Sequence, residues 1–147
     1  MREVSLLVVG TLLLWCVSCG SSDTGTSAAA SPAKFSDIYS ALFPAATKAK
    51  CDFCHSQPAS EVSNGNLHLG AAGDREAVYA ALVGKTASSK ACSGALVVPG
   101  DAEGSLFYSK VTAAPPCGER MPLGGGALPA EQIEMIRSWI AAGAKDD

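Results

Sequence analysis

The chain has 147 residues, 48% of them hydrophobic and 17% charged, with a formal net charge of −3, six Cys and two His. That length makes one domain with appendages and argues against a two-domain enzyme. Eleven Lys and Arg against fourteen Asp and Glu leave no basic field for a phosphate backbone, so no nucleic acid is expected as a partner.

Arg2, the apolar stretch from Val4 to Val17, and the small residues before Cys19 and Gly20 have the layout of an export signal. The apolar stretch holds about 14 residues, too few for a membrane span of about 20. The segment Cys16-Val17-Ser18-Cys19-Gly20 resembles the lipobox of bacterial lipoproteins, with Cys16 where that family usually has Leu. The resemblance implies a signal peptide over 1–18 and a diacylglycerol on Cys19 at the mature N-terminus. An ordinary cleaved signal would instead leave Cys19 as a free thiol, a liability in an oxidising compartment. The expected location is therefore exported and lipid-anchored to the membrane surface, facing the periplasm. Gly20 is not the acidic residue linked to inner-membrane retention, which points to the outer membrane. Residues 19–34 are small and polar and form a flexible tether with a reach of roughly 20 Å.

The folded unit is expected over 35–147. Ser36 caps a helix carrying Ile38, Tyr39, Leu42 and Phe43, which Pro44 ends. Asn64-Gly65-Asn66 is a turn, and Leu67-His68-Leu69 is too short to assign. Asp74 caps a second helix through Val78, Tyr79 and Leu82, with Gly84 as its left-handed terminator. Val98-Pro99-Gly100-Asp101 is a turn before a shorter helix with Leu106, Phe107 and Val111. In the last helix Pro129 takes the first position, Ile133, Ile136, Trp139 and Ile140 form one apolar face, and Gly143 closes it. No alternating strands or internal repeats occur, so the fold class is mainly α.

The chemistry lies in Cys51-Asp52-Phe53-Cys54-His55, the spacing of c-type haem attachment. One helical turn sets both sulfurs along one porphyrin edge, and the next residue offers a neutral imidazole to iron. Export strengthens this reading, because bacterial haem attachment takes place outside the cytoplasm. The rivals are a thioredoxin-like pair, which needs a βαβ frame, a zinc site, which needs a second close ligand pair, and a Cys51–Cys54 disulfide. His55 needs a partner ligand across the iron. Met121, in the loop Arg120-Met121-Pro122-Leu123-Gly124-Gly125-Gly126, is the expected one, with His68 competing. Cys92 and Cys117 are expected to form a disulfide closing about 25 residues, with a stabilisation of about 3 kcal/mol, and tethering the loop before Met121. Lys48, Lys50 and Lys110 are candidates for a charged rim around the haem edge.

The segments Cys51 to His55, Gly65 to Leu69, Val98 to Leu106, Arg120 to Gly125 and Glu131 to Ala144 together resemble class I cytochromes c. Within that class the likeness is closest to the planctomycete-type cytochrome C domain. The resemblance implies a small cytochrome c-like fold of short helices and long loops packed around one covalently bound haem c. It implies His55 and Met121 as the axial pair, and terminal helices that bring Ile38, Leu42, Ile136 and Ile140 together. Many members place a Pro carbonyl on the ligand His. Asn64-Gly65-Asn66 has no Pro, which leaves the acceptor for the imidazole N–H open. A large apolar cofactor would make up for the scarcity of aromatic side chains, so the haem-free domain is expected to fold poorly. The expected function is a monohaem electron carrier of the bacterial envelope, not an enzyme, with envelope redox proteins as donor and acceptor. The alternatives are a peroxidase-type haem enzyme with an open distal face and a haem-stabilised interaction module.

Overall fold

A computed structural model describes residues 31–147. The signal peptide over 1–18, the lipidation site Cys19 and most of the tether lie outside the described residues. Among the described residues six helices follow in chain order: α1 (Phe35–Leu42), α2 (Cys51–His55), α3 (Glu61–Asn64), α4 (Arg75–Leu82), α5 (Leu106–Ser109) and α6 (Ala130–Ala141). The only extended pairing among the described residues is three isolated bridges, Val83 with Val97, Thr86 with Ala95 and Val98 with Asp101. The fold is mainly α, and no helix among the described residues is long and apolar enough to cross a membrane.

The core forms where α1 packs against α6 and α4. Phe35, Ile38 and Leu42 on one side and Ile136, Trp139 and Ile140 on the other are all buried in one cluster. Helical spacing puts each trio on one face, and each large apolar side chain contributes about 1.5–3 kcal/mol on burial. Three aromatic rings close this region: Phe35 lies 5.2 Å from both Trp139 and Tyr79. Their polar tips are satisfied by the C-terminal tail. The Tyr79 hydroxyl donates to the Ala144 carbonyl (2.9 Å) and the Trp139 indole N–H to the Lys145 carbonyl (2.8 Å).

Helix α1 begins two residues earlier than expected, with Lys34 and not Ser36 at its cap position. The tail supplies the acceptors instead. Phe35 N–H donates to the Asp147 carboxylate (3.0 Å) and Ser36 N–H to the Asp147 carbonyl (3.1 Å). Asp74 does cap α4, its carboxylate accepting from Ala77 N–H at 2.9 Å. Pro129 sits one position before the first residue of α6, and Gly143 follows with φ +101°. The turn at 98–101 is closed by Asp101 N–H to the Val98 carbonyl (3.0 Å). The fully buried Ser105 locks it, its hydroxyl accepting from Val98 N–H (2.8 Å) and donating to the Asp101 carbonyl (2.6 Å).

Candidate cofactor-attachment site

Helix α2 starts at the end of α1. Asp52 N–H donates to the Phe43 carbonyl at 3.0 Å, and the Thr47 hydroxyl accepts from Lys50 N–H at 3.1 Å. Lys50 adopts a left-handed φ of 51°, which turns the chain into the helix. Asp52 sits in the first turn, where a carboxylate complements the helix dipole, and it is buried, accepting from Gly73 N–H at 3.2 Å. That bond pins α2 to the segment preceding α4.

Cys51, Cys54 and His55 occupy positions i, i+3 and i+4, so they share one face of α2. Cys51 is half-buried against the core and Cys54 is exposed. Burial pushes the Cys51 thiol up to about 12, and the neighbouring Asp52 charge adds to the effect. Both thiols are unbonded, whereas Cys92 and Cys117 form a disulfide with their Cα atoms 5.4 Å apart. No group of three or more His, Cys, Asp or Glu suited to a metal ion occurs among the described residues, and no βαβ unit frames the pair. Between Cys51 and Cys54, Phe53 is 70% exposed. A groove of about 530 Å³ runs along its side of the helix, reaching Cys54 but neither His55 nor Met121.

The His55 Nδ1 lies 3.1 Å from the Leu67 carbonyl oxygen. A carbonyl only accepts, so Nδ1 carries the proton and Nε2 keeps its lone pair. Burial holds the imidazole below its ordinary pKa, with the Leu67 bond opposing in part, so the ring is neutral at pH 7. Leu69 N–H returns a bond to the His55 carbonyl at 2.8 Å. The Leu67 carbonyl is thus the acceptor that the absence of a Pro had left open. His68, between these two residues, is exposed and donates from Nδ1 to the Gln57 carbonyl at 2.8 Å.

Met121 is half-buried and packs against the core cluster that Cys51 and Leu67 also touch. Its loop hangs on Lys110. Met121 N–H donates to the Lys110 carbonyl (2.7 Å), while the Lys110 ammonium donates to the carbonyls of Cys117 (2.7 Å) and Glu119. Partial burial lowers the Lys110 pKa, with the Glu119 charge opposing. Lys110 is therefore an internal clamp and not the free rim charge expected of it. Lys48 and Lys50 are exposed. The Met121–Pro122 peptide bond is cis, and Gly124 (φ +71°) and Gly126 (φ +77°) turn the chain where a Cβ would be strained.

These residues fit a covalently held haem. Two unbonded thiols and a neutral imidazole with an open Nε2 share one helix face, and a half-buried thioether stands on a separately anchored loop. Sequence reasoning missed three supporting groups, namely the Leu67 carbonyl, Lys110 and Asn64. Asn64 reads in sequence as a turn former before Gly65, yet it is buried. Comparison with protein-family models, curated proteins and solved structures finds no match for this chain.

Proposed function

We propose that this chain is a monohaem c-type cytochrome that passes single electrons between redox proteins of a bacterial envelope. In this reading its fold is cytochrome c-like, and lipid on Cys19 anchors it to a membrane facing the periplasm. One observation carries the reading: two unbonded thiols lie on the same short helix face as an imidazole whose Nδ1 is already committed to a carbonyl. Bound haem supplies an iron that gains and loses one electron.

The chain's own groups do the holding. Cys51 and Cys54 would hold the haem covalently through their sulfurs. Leu67 keeps the His55 ring in one tautomer and makes Nε2 a better donor. Met121 offers its thioether on a loop held by Lys110 and the Cys92–Cys117 bridge. His68 is exposed with its Nδ1 on the Gln57 carbonyl, whereas Met121 is half-buried against the cluster that Cys51 and Leu67 also touch. That arrangement supports Met121 over His68.

Haem staining of protein matured in a competent host tests the proposal. A covalently coloured band is expected, lost in the Cys51→Ala/Cys54→Ala double variant. The ferric protein should show the weak far-red band of sulfur ligation, absent in Met121→Ala. A colourless protein with residues 51 and 54 joined to each other overturns the assignment. A high-spin ferric haem that reacts with peroxide would make the chain a peroxidase-type enzyme instead.

A further inference from the structure

Asn64 is the last residue of α3 and is 6% exposed, and its side chain is spent entirely on backbone. Its Oδ1 accepts from Ser60 N–H at 2.8 Å. Its Nδ2 donates to the carbonyls of Pro58 (3.1 Å), Cys54 (3.3 Å) and Gln57 (3.4 Å). A backbone N–H only donates and a carbonyl only accepts, so these partners fix which way the amide faces. The Cys54 carbonyl belongs to the last turn of α2 and also accepts from Gln57 N–H at 3.4 Å. Asn64 therefore ties the end of α2 to α3.

The backbone of the same residue acts on the loop that supplies the imidazole's acceptor. Its carbonyl accepts from Leu67 N–H at 3.1 Å, and the Leu67 carbonyl accepts the His55 δ1 proton at 3.1 Å. One buried residue thus grips the helix end that carries His55 and the loop that carries its acceptor. We propose that Asn64 is the positioning residue for His55, holding the Nδ1–H to Leu67 bond and through it the donor strength of Nε2. The link to iron rests on the haem reading; the effect on the imidazole does not.

The test compares Asn64→Asp, which keeps the acceptor for Ser60 but loses both donors, with Asn66→Asp, whose side chain bonds only the Ser88 carbonyl in an exposed loop. In the haem-loaded full chain, Asn64→Asp should speed solvent exchange of the His55 δ1 proton by about tenfold or more. The midpoint potential should shift as well, through the weakened imidazole bond and the new buried carboxylate together. The far-red sulfur band should remain, and Asn66→Asp should change none of these. An Asn64→Asp protein that takes up haem with unchanged δ1 exchange and unchanged potential overturns the inference. If the variant does not fold, the wild-type chain decides. Its Asn64 side-chain amide protons should be protected to the same degree as the His55 δ1 proton, and freely exchanging amide protons overturn the proposal. A colourless wild type with a protected δ1 proton would sink the haem reading alone.

Discussion

At the scale of single residues, the site depends on groups that hold other groups still. Lys110 is the clearest case, since its carbonyl accepts one bond from Met121 and its ammonium donates two, to Cys117 and Glu119. Replacing it by Met keeps most of the stem but strands two carbonyls, at a cost of about 1–2 kcal/mol. Lys110→Met should weaken the far-red band on warming and let added imidazole displace Met121, and Lys110→Arg should restore part of the loss; absorption titration reads both. The chain before haem addition should also have a pH window of greatest stability. His55 is held below its ordinary pKa by burial, so the stability it contributes is present above about pH 6.5 and is lost as pH falls through its folded value. Cys51 is held above its ordinary pKa, so its contribution is present below about pH 8.5 and is lost as pH rises towards about 12. Denaturant midpoints of the unlinked chain should therefore be highest between these limits, and a His55→Ala/Cys51→Ser chain should show a flatter profile.

At the scale of elements, the helices with two or more turns of apolar periodicity were legible and the shorter ones were not. Phe35–Leu42, Arg75–Leu82 and Ala130–Ala141 carry their own stripe. Helix α3 has four residues and Val62 on it is 98% exposed, so no stripe exists to be read. It persists because Ser60 caps one end and the Asn64 side chain reaches across to α2, contacts that sequence spacing does not encode. The start of α1 was misread for a similar reason, because its acceptors come from Asp147, more than a hundred residues away. Where the cap is local the reading is secure, and Asp74→Ala should cost α4 about 1 kcal/mol by thermal denaturation. Ser105→Ala, which leaves Val98 N–H and the Asp101 carbonyl unpaired in a buried turn, should cost about 1–3 kcal/mol. Breaking the Cys92–Cys117 bridge as a double Ser variant should lower stability by about 3 kcal/mol. If the bridge also holds the Met121 loop, the far-red band should weaken with it; an unchanged band would confine the bridge to stability.

At the scale of the molecule, the interior has two regions of different character. Phe35, Trp139, Ile136 and Ile140 are closed off by one another and by α4, with exposures of 1% or less. Around α2, by contrast, Cys51 and His55 are only half-buried and Cys54 and Phe53 are exposed. A scarcity of aromatics made the whole interior look dependent on a cofactor, but composition cannot say where the few aromatic rings gather. Phe35, Tyr79 and Trp139 gather between α1, α4 and α6, and Tyr39, Phe43 and Phe107 form a second group. Without haem the chain should therefore keep slow amide exchange in α6 and lose it first in α2 and the Met121 loop. The motif residues of the site were legible because their chemistry requires a fixed spacing. The Leu67 carbonyl and the Lys110 clamp were not, since any residue type supplies a carbonyl and Lys looks the same whether bound or solvated. The clasp between Asp147 and the first turn of α1 has one practical outcome. Residues 35 and 147 meet at one corner, so a short glycine bridge there and a new opening at the exposed Ala113–Ala114 step should give a circularly permuted domain with the same interior.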